Sequence, residues 1–301
     1  MRMHEIGQFF RWSTARCSST GYPAAAMDFV AHLPHAAGVT LTAAQHVLTV
    51  LSGSAVGFTL GIIGGGGSIL AVPLLLYLVG YPDPHVVIGT TAFAVSMNAY
   101  ANLALHARAG NVRWRQGILF AVVGAAMAFV GSSIGKAVDG RRLLFLFALL
   151  MLGIAVLMVR QRAMAAMLEK AKAQCSEGLC AARLAGSAAL AGAFSGFFGI
   201  GGGFLIVPGL ALPTGMPMVS AVGTSLISVG TFGLTTALNY ARSGMLDWRV
   251  ALQFIAGGIV GGWIGTRAAT RLGRNGKGTL NWIFAGVVVT VALYMLYKNA
   301  P

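Results

Sequence analysis

Residues 63–73 read IGGGGSILAVP, and residues 199–208 read GIGGGFLIVP. In each, a run of glycines interrupts a long apolar stretch and leads into a proline, Pro73 and Pro208, which stand 135 residues apart. Two further matches keep almost the same spacing. Gly89-Thr90-Thr91 is answered 134 residues later by Gly223-Thr224-Ser225, and GNVRWR at 110–115 by GMLDWR at 244–249, again after 134. Three blocks in one register point to an internal duplication. In a membrane chain, glycine-interrupted apolar segments at matching places in two halves are the strongest sequence pointer to a transporter's binding site.

Composition puts the chain in a membrane. Its 301 residues are 56% hydrophobic and only 9% charged, against about 25% charged in ordinary soluble domains. Apolar runs near the roughly twenty residues needed to span a bilayer recur at 86–106, 116–135, 143–159, 250–270 and 280–297. The expected class is an all-α polytopic membrane protein with 8–10 membrane segments, its two repeats each containing a glycine-broken half-helix. Lipid is its solvent, in the manner of a multi-pass protein of the bacterial inner (cell) membrane.

Charge is lopsided, with 21 Lys and Arg against 7 Asp and Glu. The basic residues sit in short loops between apolar runs, where cationic loops set topology. No basic stripe interleaves with aromatics, so nucleic acid is not an expected partner. The seven acids, Glu5, Asp28, Asp83, Asp139, Glu169, Glu177 and Asp247, all fall in loops or at edges. The apolar spans therefore offer no carboxylate relay of the kind that carries protons in pumps. That pattern suits a carrier holding an anion with neutral dipoles.

Residues 1–43 form a variable amino-terminal extension without a signal-peptide pattern, and Met27 is an alternative start that would leave 1–26 untranslated. The first membrane repeat covers 44–160, a linker 161–182, and the second repeat 183–301. The linker is expected on the cytoplasmic side. Two segments, 68–81 and 204–212, are too short to cross: at 1.5 Å per residue they reach about 21 and 14 Å, against a hydrocarbon core of about 30 Å. They read as half-helices.

The candidate substrate-binding residues begin with the glycine runs: Gly64, Gly65, Gly66, Gly67 and Ser68 in the first half, Gly199, Gly201, Gly202 and Gly203 in the second. Glycine lets backbone approach a ligand, and the helix that starts after each run presents free N–H groups and a dipole that favour an anion. The competing use is close helix packing. Thr90, Thr91 and Asn98, with Thr224 and Ser225, are candidates as hydroxyl and amide donors; interhelical hydrogen bonding is their alternative. His106 matches Tyr240 and is either interfacial or a titrating gate. Cys175 and Cys180 form a C-x4-C pair, either redox or sulfur-handling, or two ordinary linker thiols. GSSIG at 131–135 fits G-x-S-x-G but lies on an apolar helix with no acid or His to activate Ser133. No catalytic residues, metal ligands or cofactor motif are expected, and the chain reads as no enzyme.

The paired glycine breaks with their prolines (IGGGGSILAVP, GFFGIGGGFLIVP), the following GTT or GTS, and the GNVRWR and GMLDWR turns together resemble the sulfite exporter TauE/SafE family over residues 45–298. The resemblance implies a transporter of sulfite, small organosulfonates or related sulfur-containing anions, with such an anion and the bilayer as partners. It fixes neither substrate nor direction. A membrane potential negative inside favours anion export by about 2.3 kcal/mol per charge per 100 mV. The rival readings are a sulfur relay through the linker cysteines and a passive anion channel.

Overall fold

A computed structural model of the chain describes residues 41–63, 65–159, 177–271 and 273–299. The described residues are all-helical. The elements are α1 (Ala43–Ile63), a broken short helix α2 (65–78), α3 (Pro84–Arg108), α4 (Trp114–Ala137), α5 (Gly140–Val159), α6 (Glu177–Phe198), α7 (Gly203–Thr214), α8 (Met218–Ala241), α9 (Trp248–Arg271) and α10 (Gly273–Asn299).

Local chemistry explains the starts and stops. Asp83 caps α3: its carboxylate accepts from the N–H of His85 (2.8 Å) and Val86 (3.4 Å), and Pro84 fills the first turn, where a missing N–H costs nothing. Asp247 caps α9 in the same way, accepting from Arg249 (3.0 Å) and Val250 (3.2 Å). α2 changes type along its length, 3-10 over Gly65–Leu70, α over Ala71–Pro73 and π over Leu74–Leu78. Proline has no N–H to give and crowds the preceding turn, and the helix widens directly after Pro73. α7 keeps α geometry through Pro208 and Pro213 and stops at Gly215, in the left-handed conformation with φ 60°.

Both short elements differ slightly from their sequence bounds. α2 begins at Gly65 rather than 68, and α7 runs on to Thr214 rather than 212. The 12 residues of α7 still reach only about 18 Å. The helix at the end of the linker starts earlier than expected, so Glu177 and Cys180 have helical backbone in α6. Cys175, Gly64 and the 1–40 part of the extension lie outside the described residues.

Four of the described helices are long and apolar enough to cross a membrane: Ala43–Ile62, Pro84–Arg108, Trp114–Ala137 and Val219–Ala241. Polarity is turned inside out relative to a soluble protein. Val122, Leu190, Trp263 and Tyr297 are exposed, while Ser96, Asn98, Ser195, Thr224 and Ser228 are buried. An apolar outside with polar groups on inner helix faces is what lipid selects.

Helix pairing follows small residues. α1 packs along α9, and α6 along α4. Gly53, Gly57 and Gly61 of α1 lie so close to α9 that a Cβ on them would run into the carbonyls of Phe254, Gly258 and Gly262. Gly257, Gly261 and Gly265 return the contact onto Val50, Ser54 and Phe58. On the other pair, Gly131 and Gly135 of the GSSIG segment sit on Ala193 and Phe197, and Gly192 and Gly196 sit on Gly124 and Ala128. Backbone-to-backbone approach of this kind provides the dispersion contacts that hold helices together where lipid is as apolar as leucine. α3 and α8 pack together in the interior, α5 packs on α10, and α2 meets α7.

Candidate functional site

The two glycine breaks, far apart in sequence, come together in space. Ser68 and Ile69 of the first and Ile200, Gly202, Gly203 and Leu205 of the second line one small cavity. α6 adds Phe194 and Ser195, and α5 closes it with Leu150 and Ile154. The cavity measures about 10 Å³ for the centre of a water molecule, room for about one water.

The second break is shaped by backbone that only glycine adopts readily. Gly199, Gly201 and Gly202 have φ of 67°, 70° and 63°, the left-handed region where a side chain is strained. Gly202 is the residue before α7, and a Cβ there would lie 2.6 Å from Cβ of Ser195 and 2.9 Å from its Oγ. The first intrahelical bonds of α7 run from the N–H groups of Leu205 (2.9 Å) and Ile206 (3.1 Å) to the Gly202 carbonyl. The N–H groups of Gly203 and Phe204 precede them, at the positive end of the helix dipole. Ser195 is fully buried, and its hydroxyl has no hydrogen-bond partner. Ser68 is also buried. The wall is otherwise apolar. Chemically this is an uncharged, almost wholly apolar pocket beside a helix start and a buried hydroxyl.

The other candidates lie elsewhere. The backbone N–H of Asp247 donates to Thr90 Oγ1 (3.0 Å), and that of Arg113 donates to Thr224 Oγ1 (3.0 Å). Gly89 makes room for the Met245 carbonyl and Gly223 for the Asn111 carbonyl. Each Gly-Thr pair is thus the socket for the Gly-x-x-x-Trp-Arg turn of the other half. Thr91 donates to the Val87 carbonyl (2.7 Å) and Ser225 to the Val222 carbonyl (2.7 Å), both within their own helices. Asn98 is fully buried with neither amide atom partnered, pressed against Gly258 of α9. None of these five lines the cavity. The GSSIG hydroxyls bind a neighbouring helix: Asn239 Nδ2 donates to Ser132 Oγ (2.6 Å) and Ser133 Oγ (3.0 Å). Lys136 donates to Asn239 Oδ1 (2.8 Å) and Ser243 Oγ (3.0 Å), tying down the end of α8.

Sequence reasoning missed Ser195, although it is the one hydroxyl in the last turn of the helix entering the second break. It also missed the burial of Asp247. Placed at a turn, this carboxylate is nonetheless buried and accepts from the Tyr81 hydroxyl (3.0 Å). Burial, and the adjacent Asp247 carboxylate, push the Tyr81 hydroxyl well above the usual tyrosine range, so it stays a proton donor. Among the described residues, no three His, Cys, Asp or Glu side chains gather to hold a metal.

The family model described as Sulfite exporter TauE/SafE matches residues 49–295. A Xylella fastidiosa protein named "Probable membrane transporter protein" is 52% identical over 259 residues, covering 86% of this chain and 98% of its own. The Bacillus subtilis "Probable membrane transporter protein YunE" is 24% identical over 277 residues, 84% of this chain and 98% of its own. "Probable membrane transporter protein MJ0441" of Methanocaldococcus jannaschii is 30% identical over 190 residues, 60% and 67% of the two chains. No solved structure matches. The chain is a multi-pass membrane transporter and belongs to the TauE/SafE sulfite exporter family.

Proposed function

We propose that this transporter is a secondary carrier in the cell membrane that exports sulfite or small organosulfonate anions through the glycine junction. The observation that carries the reading is the meeting of both breaks, the α7 start and the unpartnered Ser195 hydroxyl at one small cavity. With room for about one water, the cavity is too small for the anion as it stands. An anion enters only after the elements around it part.

The pairing of helices supports two repeats moving against each other. α1 with α9 and α6 with α4 are the same pairing seen from either half, and the two Thr sockets are likewise exchanged. Rocking of one repeat on the other would open the junction to alternate sides. The inside-negative potential drives the anion outward.

The test is counterflow of radiolabelled sulfite in proteoliposomes, with taurine and sulfoacetate as competitors. Saturable exchange, abolished in a folded Gly201→Leu protein, is the expected result. Gly201 has φ 70°, and a Cβ there would lie 3.1 Å from Val229 Cγ1, so leucine both strains the backbone and crowds α8 beside the cavity. Absence of flux for all three compounds would remove the substrate class.

A further inference from the structure

We infer that the glycine junction takes its oxyanion singly charged, so that sulfite crosses as its protonated form, hydrogen sulfite. This rests on the sulfite reading above and specifies which ionic form the site selects.

Among the described residues, those lining the cavity carry no charge. Among the described side chains, charged or titratable ones do occur on the elements that supply the lining: Tyr77 on α2, Arg141 and Arg142 on α5, Arg183 on α6, none on α7. None of these lines the cavity. The elements packed around carry, among the described side chains, His46 on α1, His85, Tyr100, His106 and Arg108 on α3, Arg115 and Lys136 on α4, Tyr240 and Arg242 at α8, and Tyr294, Tyr297 and Lys298 on α10, and none lines it either. The site therefore offers no fixed charge: an apolar wall, the Ser68 and Ser195 side chains, and the start of α7 with a helix dipole worth about half an elementary charge.

Desolvation decides between the two ionic forms. The cost of moving an ion out of water rises with the square of its charge, so a dianion costs about four times as much as a monoanion of the same size. Fixed dipoles gain only in proportion to the charge. A neutral site thus loses ground with the second charge, where an arginine or lysine would recover it. The protonated form also suits the donors present. The free Ser195 hydroxyl donates one hydrogen bond and accepts another, so it can give to an anion oxygen and receive the anion's own O–H. The proton then crosses on the substrate, and export is proton-linked with no ionisable side chain among the residues lining the cavity.

The experiment uses the full-length protein in proteoliposomes at equal internal and external pH, with total sulfite fixed well below saturation. Initial counterflow is measured as pH is raised through the second ionisation of sulfurous acid, near neutrality. Protein-free vesicles correct for leakage of sulfur dioxide. Methanesulfonate, a monoanion throughout the range, serves as competitor and reports any titration of the protein. The expected result is a rate that falls about tenfold per pH unit above that ionisation, with methanesulfonate inhibition constant. A rate that stays level or rises overturns the inference, as does a fall matched by loss of methanesulfonate inhibition. No sulfite counterflow at any pH, from protein that remains folded, overturns the sulfite reading itself.

Discussion

The backbone N–H of Asp247 donates to the hydroxyl of Thr90 at 3.0 Å, and the N–H of Arg113 donates to Thr224 at the same distance. Two of the three repeated motifs therefore recognise each other across the molecule. Replacing either threonine with valine keeps the shape and removes the acceptor. We expect each Thr→Val to lower stability by about 1–3 kcal/mol, since a buried N–H is left unmade, and Thr→Ser to recover most of it. Thermal unfolding in detergent with a fluorescent reporter measures both.

Ser195→Ala separates fold from function. Its hydroxyl is buried without a partner, so its removal is expected to leave stability unchanged or slightly raised. Sulfite counterflow should nonetheless weaken by about tenfold in apparent affinity, the effect of about 1.4 kcal/mol. A variant with normal transport would detach the cavity from the function.

The glycine pairing of α1 and α9 makes a sharper structural prediction. Gly57→Ala drives a methyl into the Gly258 carbonyl and should cost about 1–3 kcal/mol through overpacking. Gly153→Ala is the control, because a Cβ there meets nothing within 4 Å; it should stabilise α5 by about 0.5–1 kcal/mol. Equal effects of the two would dismiss packing as the use of these glycines.

Tyr81 supplies an alkaline limit. Its hydroxyl titrates above the unfolded value, so its contribution is complete below about pH 10 and declines as pH rises beyond it, because the unfolded chain then loses the proton first. The Tyr81–Asp247 bond itself is worth about 1–3 kcal/mol with a charged acceptor. Tyr81→Phe should lower stability at pH 8 and flatten its loss above pH 10. Melting curves of both proteins across that range provide the check.

Much of this was legible in the chain. Composition and run length gave a helical membrane protein, and the glycine-proline blocks pointed to the junction where α2 and α7 now meet. The threonines were open to two readings because a hydroxyl in an apolar run looks the same whether it awaits a ligand or caps a turn 157 residues away, as Thr90 does for Asp247. Ser195 escaped notice because nothing local distinguishes an unpartnered hydroxyl from the many that bond back to their own helix, as Thr91 does. Asp247 looked like a loop residue, and only its contact with Tyr81, 166 positions earlier, reveals that it is buried.

The partnership of α1 with α9 also sets a timetable for biogenesis. Ser54 on α1 bonds to Gly257 on α9, 203 residues later. At about 5–20 residues per second of synthesis, the first helix resides in the bilayer for about 10–40 seconds before its mate has been made. During that interval the Gly53, Gly57 and Gly61 face has only lipid against it. The nascent first half is thus an open-ended intermediate, exposed to premature pairing with another nascent chain or to the membrane's quality-control proteases until the second half arrives.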